Sequence, residues 1–374
     1  MISSKQHLIE LLAEADIEVG GLRPWDLQVH DERVFSRTLA YGSLGFGEAY
    51  MDGWWDCKDI EGMLARIFRA GLDRHIIGWR TLLFALSARL VNRASPRRAF
   101  EVGRRHYDVG NDLYQAMLDH RMVYTCGYWN NASNLDEAQE AKLDLVCRKI
   151  GLKSGMRILD IGCGWGSFAK FAAERYGAEV VGVTVSKRQV ELGRELCKGL
   201  PVELKLQDYR DINTSQPYDR VVSLGMFEHV GYKNYAEFMR VVRKALKPEG
   251  LFLLHTIGAN TTRHANNTWI DKYIFPNSML PSIVQIGRAI EPSFMMEDWH
   301  NFGLDYVKTL RAWDKNIEAA WNALETNYDE RFRRMWRFYL RSSSATFLAR
   351  RNQLWQIVLS PHGVKDRWGS CKSR

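Results

Sequence analysis

Beyond residue 150 the chain alternates short apolar, β-branched runs with longer stretches in which apolar positions return every three or four residues. The runs at 156–161, 179–185, 202–206, 219–224 and 251–256 have the length and composition of buried strands. Between them, 166–176, 187–198 and 234–246 carry helical spacing. Such alternation predicts an α/β fold with a doubly wound, mostly parallel sheet. The rhythm fails over 260–305, where aromatic and proline-containing segments (TWIDKYIFPNSMLPS, EDWHNFGLDY) read as an insertion over the active edge. Helical spacing resumes over 308–349, and LWQIVLS at 354–360 reads as a last strand.

Ahead of this domain, helical spacing at 5–14 and 59–70 flanks a glycine-rich middle, YGSLGFGEAYMDGWW. It predicts a smaller, mainly helical N-terminal domain over 1–90. The amphipathic stretch Ile76–Val91 contains Arg80 and Arg89 and is too short to cross a hydrocarbon core of about 30 Å. Either it packs on the first domain, the commoner fate of such a stripe, or it lies in a membrane interface with its arginines at the head groups. A basic linker over 91–105 follows and leaves 106–374 for the α/β domain.

Composition narrows the class. With 46% hydrophobic and 26% charged residues, neither disorder nor a membrane-spanning architecture is indicated. A formal charge of +8 attracts anions, and nucleic acid and acidic phospholipid are the common partners. The six cysteines show no C-x-x-C pairing and no zinc-like spacing with histidine, so free thiols in a reducing compartment and no metal site are expected. The N-terminal MISSKQHLIELLAEADIE lacks the pattern of a signal peptide, which points to a cytoplasmic location.

Residues 158–166, ILDIGCGWG, carry the sharpest local signal. An apolar run ends in Asp160 and breaks into a turn with Gly162, Gly164 and Gly166, where bare backbone can approach a ligand. A dinucleotide enzyme calls for G-x-G-x-x-G and an acid about twenty residues on for the ribose. Here the second strand ends in GVTVS with no acid at its tip. The segment DIGCGWG resembles instead the first motif of the S-adenosylmethionine-dependent methyltransferases, and Gln207-Asp208-Tyr209 matches the place where that class holds adenine. Gln189 then stands in for the missing acid at the ribose. The bland alternatives are a turn cap for Asp208 and a solvated helix face for Gln189.

Four further segments sit where strand ends converge: YTCGYW at 124–129, GMFEHVG at 225–231, LLHTIG at 253–258 and HNFGLDY at 300–306. Together with GSLGFGEAYMDGWW, HYDVGNDLY and WIDKYIFPN, they make the chain resemble, over nearly its whole length, the cyclopropane-fatty-acyl-phospholipid synthases and the more distant mycolic acid cyclopropane synthases. The resemblance implies transfer of a methylene from S-adenosylmethionine across the cis double bond of a phospholipid acyl chain, with a carbocation formed on the lipid and a bound bicarbonate as the base. Matching catalytic positions are Cys126, Glu228, His255, Ile257 through its backbone, and Tyr306. Matching cofactor positions are Tyr124, Thr125, Gly162, Gly164, Thr184, Gln189, Asp208 and Tyr209. Gly166 is expected to permit helix packing, Asp160 to orient the turn and His229 to be structural.

That chemistry suits these residue types. An alkene is a poor nucleophile and needs the sulfonium aligned in a dry pocket. Aromatic faces stabilise a cation without adding to it. Imidazole and phenol donate to an anion, while a carboxylate accepts its hydroxyl hydrogen. Where family members often carry a cysteine in the segment YLRSSSATF, this chain has Ser343, which argues against a thiol nucleophile there. The implied partners are membrane phospholipids with unsaturated acyl chains, an anionic membrane surface met by the N-terminal unit and its Arg-rich flank, and a second copy in a homodimer. Peripheral association with the inner face of the membrane follows. No nucleic acid is expected, because no stacking or base-flipping module is visible. The rival readings are a lipid methyltransferase that reduces or hydrates the cation, and a lipid-binding protein with a vestigial cofactor site.

Overall fold

Glycines that look like loop residues in the N-terminal sequence lie instead inside a helix. The computed structural model describes residues 4–74 and 110–364, so the amphipathic stretch Ile76–Val91 and the basic linker lie outside the described residues. The helix Ser43–Met51 runs through the glycine-rich middle, because a Cβ on Gly47 would lie 2.5 Å from the Trp269 indole. Those glycines serve close packing. Around them are the helices Ser4–Glu14, Arg33–Tyr41 and Ile60–Ala70, with a short antiparallel pair of strands, β1 (Gln28–Val29) and β2 (Trp55–Asp56). Asp59 caps Ile60–Ala70 by accepting the Gly62 N–H at 2.8 Å, and Gly71 ends it in the left-handed conformation.

This helical unit also takes in His264–Pro276 and Tyr306–Asn352. The helix Glu330–Leu348 brings Phe338 against Trp55, Tyr50 and Trp269, and Phe46 stacks on Trp55 at 4.3 Å. Buried aromatics bring more apolar area to such a cluster than any other side chains, so these distant stretches join the N-terminal helices. The expected limits of 1–90 and 106–374 therefore differ from the compact units. Aromatic packing between remote segments, invisible to a linear division, makes the difference.

The second unit comprises the described residues from 110 to 263, Asn277–Asp305 and 353–364. Its strands are β3 (Arg157–Ile161), β4 (Glu179–Thr184), β5 (Val202–Leu206), β6 (Tyr218–Leu224), β7 (Leu246–Ala259), β8 (Met295–Asn301) and β9 (Asn352–Ser360). They form one sheet in the order β5-β4-β3-β6-β7-β9-β8. The first five pair in parallel, as the alternation predicts. Strand order reverses between β3 and β6, which opens a crevice at their carboxyl ends.

β8 departs from the expected insertion. It pairs antiparallel with β9, from Met295 opposite Ser360 to Asn301 opposite Trp355. MMEDWHN has neither the β-branched content nor the clean alternation of a strand, and backbone pairing at a sheet edge decides its conformation. On one face of the sheet, Phe252 and Leu254 pack with Phe238, Met239 and Val242 of the helix Tyr235–Ala245 and with Ile286 and Ile290 of the helix Ile283–Ile290. On the other, Leu253 and Ile158 pack with the helices Leu135–Lys149 and Ser167–Tyr176.

Candidate active site

β3 delivers the chain to the crevice, where Gly162, Gly164 and Gly166 have φ of +84°, +55° and +81°. Only glycine adopts these angles without strain. A Cβ on Gly162 would sit 2.5 Å from the Met226 side chain, whereas the nearest atom to one on Gly164 is the Gln189 amide nitrogen at 3.9 Å. The turn is therefore bare backbone on its open side. At Gly166 a Cβ would meet Leu204 and Cys197 at 3.0 and 3.1 Å, where the turn packs against the sheet.

Above the turn lies a cavity of about 180 Å³, lined by all eight residues matched to the cofactor: Tyr124, Thr125, Gly162, Gly164, Thr184, Gln189, Asp208 and Tyr209. They come from the ends of β3, β4 and β5 and from the segment before the helix Leu135–Lys149. Ser186 caps the helix Lys187–Leu196 and places Gln189 in its first turn, buried, with Thr184 Oγ1 donating to Gln189 Oε1 at 3.1 Å. Gln189 is thus not on a solvated face. Asp208 accepts from the Arg210 N–H at 2.9 Å and pairs with its guanidinium at 3.0 Å, so it is a turn cap as well as a cavity residue. Tyr209 stands edge-on to Phe238 with its ring 4.6 Å from the Arg210 guanidinium. Tyr124 packs on Tyr114, which in turn packs on Trp165.

Lys142 and His229 also line the cavity; His229 is the residue expected to be structural, and Lys142 is one the sequence reading did not single out. Lys142 is fully buried and donates from Nζ to Thr125 Oγ1 at 2.9 Å, while Gln139 donates to the Thr125 carbonyl at 2.8 Å. A signal was present. In Leu135–Lys149 the buried stripe runs through Ala138, Gln139, Lys142, Leu143 and Val146, so a lysine and a glutamine occupy apolar positions. Burial pushes the Lys142 ammonium down to about 8 despite the pull of nearby Asp119. It pushes the Asp160 carboxyl up to about 7, with Lys142 pulling it back.

A second cluster sits at the ends of β6 and β7. Gly225 follows β6 and donates its N–H to the His255 carbonyl at 2.9 Å, and Ile257 on β7 donates its N–H to Glu228 Oε1 at 2.7 Å. Glu228 Oε2 is buried with no hydrogen-bond partner among the described residues, and so is His255 Nε2. Burial raises the Glu228 carboxyl to about 7, and the bond from Ile257 works against that rise. Burial also holds the His255 imidazole well below its ordinary value, helped by the charges of Lys142 and Lys149, so it is neutral. His255 Nδ1 faces the Gln356 amide at 3.4 Å.

Cys126 is wholly buried one residue past Thr125, its thiol donating to the Gly127 carbonyl at 3.1 Å. A Cβ on Gly225 would touch Thr125 at 2.7 Å, so the Cys126 segment abuts the end of β6. Tyr306 lies in the helical unit, buried against Phe347 and Trp313 at ring distances of 4.7 and 6.0 Å.

These features fit the groups that the sequence implies. A methyl donor with a nucleoside needs bare backbone, a carboxylate and an aromatic face at strand ends, and the cavity has each. A small hydrogen-bonding anion needs an acceptor for its hydrogen and a neutral donor for its oxygens. Glu228 Oε2 and His255 Nε2, each buried and without a partner among the described residues, are groups of these two kinds.

The chain is similar to known proteins over most of its length. The profile of the mycolic acid cyclopropane synthetase family matches residues 94–357. The cyclopropane-fatty-acyl-phospholipid synthase of Escherichia coli is 51% identical over 358 residues, covering 96% of this chain and 93% of its own. A cyclopropane synthase of Mycobacterium tuberculosis superposes with a TM-score of 0.65 at 30% identity, covering 70% of this chain and 97% of that one. A mycolic acid cyclopropane synthase solved with SAH and CTAB gives the same values. The fold is that of an S-adenosylmethionine-dependent methyltransferase, and the chain belongs to the mycolic acid cyclopropane synthetase family.

Proposed function

We propose that this protein places a methylene bridge across the cis double bond of an unsaturated phospholipid acyl chain, with S-adenosylmethionine as the carbon source. The observation that carries this reading is the 51% identity to a cyclopropane-fatty-acyl-phospholipid synthase over nearly the full length of both chains. The donor, when bound, supplies an electrophilic methyl group. The glycine turn, Gln189 and Asp208 bind and orient it, and Lys142 holds Thr125 in place beside it. Charge that develops on the acyl chain meets the aromatic faces around Tyr124.

Bicarbonate, when bound, supplies the base. Glu228 Oε2 accepts its hydrogen and His255 Nε2 donates to it, in keeping with their unpartnered state. Ile257 spends its N–H on Glu228, so its part is to aim that carboxylate. Cys126, buried with its thiol on the Gly127 carbonyl, and Tyr306 are the remaining family positions, and Cys126→Ser and Tyr306→Phe test their roles. Glu228 works as a carboxylate, so its raised pKa makes activity climb through about pH 7.

No helix among the described residues is long and apolar enough to cross a membrane, and access to acyl chains then calls for docking at an anionic surface on the inner face of the membrane. The N-terminal unit with its basic flank is one contact, and a homodimer is the expected assembly. The test is incubation with unsaturated phospholipid vesicles and methyl-labelled S-adenosylmethionine. Loss of the olefin and one added CH₂ per chain are expected; saturated methyl-branched chains without rings would overturn ring closure.

A further inference from the structure

The helix Ile283–Ile290 is apolar on both faces. Inward, Ile286, Ala289 and Ile290 are buried in the core. Outward, Ile283 and Val284 are each 53% exposed, and a Cβ on Gly287 would meet nothing within 4 Å. Arg288 completes that face, one helical turn from Val284, exposed and without an ion pair among the described residues. A face turned to water ordinarily carries polar side chains. Here the polar complement is Arg288 and, at the helix end, Glu291, beyond an apolar step of Ile283 and Val284.

The step is held in place. Ser282 accepts the Gln285 N–H at 3.2 Å and the Gln285 side chain accepts the Ser282 N–H at 2.9 Å, so the first turn is capped from both sides. Gln285 also donates to the carbonyl of Arg263, itself exposed, which sets a second cation beside the pair. The segment leading into the helix is tied to the reaction site. Asn277 lines the cavity, Met279 donates its N–H to the Glu228 carbonyl at 2.8 Å, and the Pro281 carbonyl accepts from Ala259 at the end of β7 at 2.8 Å.

We infer that this outward face docks on an anionic phospholipid bilayer, with Ile283 and Val284 entering the acyl boundary and Arg263 and Arg288 reaching the phosphates. The inference rests on the proposed lipid substrate and adds where the acyl chain is handed over: at the lip of the Glu228 side of the crevice. Two arginines against one exposed acid, Glu291 at the end of the helix, leave that face net positive. Apolar tips with flanking cations suit an interface in which stems are buried and charged heads stay at the phosphates.

The experiment uses the full chain with phosphatidylglycerol-containing vesicles. Ile283→Asp combined with Val284→Asp is expected to weaken co-sedimentation at least tenfold, with S-adenosylmethionine affinity by calorimetry unchanged. In case that variant misfolds, Ile283→Trp provides a gain: emission moves to shorter wavelength on vesicle addition and is quenched by brominated acyl chains. Unchanged vesicle binding by the double variant, with no spectral response from the tryptophan, overturns the inference. So does loss of a dimer in sedimentation velocity with vesicle binding intact, which assigns the face to a second copy. A monomeric short-chain unsaturated phospholipid separates this from the catalytic reading, since variants that lose vesicle binding retain turnover on it. If the parent protein cyclopropanates neither lipid, the catalytic reading fails and the vesicle measurements still decide the docking face.

Discussion

The two sides of the crevice are built differently. On the side of β3, β4 and β5, each residue expected to hold the methyl donor stands at or near a strand end, and its polar atoms are largely engaged within the protein: Thr184 with Gln189, Asp208 with Arg210, Thr125 with Lys142. On the side of β6 and β7, Glu228 and His255 each keep a buried polar atom without a partner among the described residues. Leaving such an atom unpaired costs about 1–3 kcal/mol. The first side is a nearly finished binding surface, apart from the buried Tyr209 hydroxyl, which has no hydrogen-bond partner among the described residues. The second is kept incomplete, which suits a group that must meet something arriving with the substrate.

Variants on the incomplete side are expected to strike turnover and those on the finished side affinity. The largest effect is predicted for Glu228→Gln, with kcat falling by about 10²–10⁴ and donor affinity nearly unchanged, as single-turnover kinetics and calorimetry would read. The same variant separates function from stability. Between its ordinary value of 4.5 and about 7, the folded carboxyl retains a proton that the unfolded chain has released, so native stability declines as pH rises through that window. Glutamine at this position escapes the penalty, and at pH 8 the variant should be more stable than the parent by on the order of 1–3 kcal/mol in denaturant unfolding. Equal loss of donor affinity and turnover would erase the distinction between the two sides.

Next in size is the pH profile. Below pH 7, kcat should drop about tenfold per pH unit as Glu228 takes up its proton, and Glu228→Gln should lack that limb. On the finished side, Gly162→Ala forces a positive φ on a side chain aimed at Met226, and donor affinity should weaken about tenfold or more by calorimetry. Smallest is Thr184→Val, which removes the hydroxyl that holds Gln189. A loss of about threefold in donor affinity is expected, with kcat at saturation unchanged.

Legibility followed the same divide. The glycine turn, Gln189 and Asp208 could be located in the sequence because strand–turn–helix signals are local and a parallel sheet gathers strand ends in one place. The contact between Ile257 and Glu228 spans a whole crossover, and no periodicity announces it. Lys142 and Gln139 left a faint trace as polar residues on an apolar stripe, visible only to a search for exceptions to the pattern. β8 was illegible because an edge strand can be held by one neighbour's backbone whatever its side chains. The joining of His264–Pro276 and Tyr306–Asn352 to the N-terminal helices depends on which aromatic surfaces meet.

By itself, the order of residues determined the alternation of strand and helix and the class of turn after β3. Those are properties of short stretches, decided by spacing and backbone freedom. Tertiary structure alone decided that Glu228 is aimed by a distant N–H, that His255 is neutral, that Lys142 is buried beside Thr125, and that an apolar step faces outward next to the crevice. Burial and pairing set the charge and reach of a side chain, and both depend on chain segments far away in sequence.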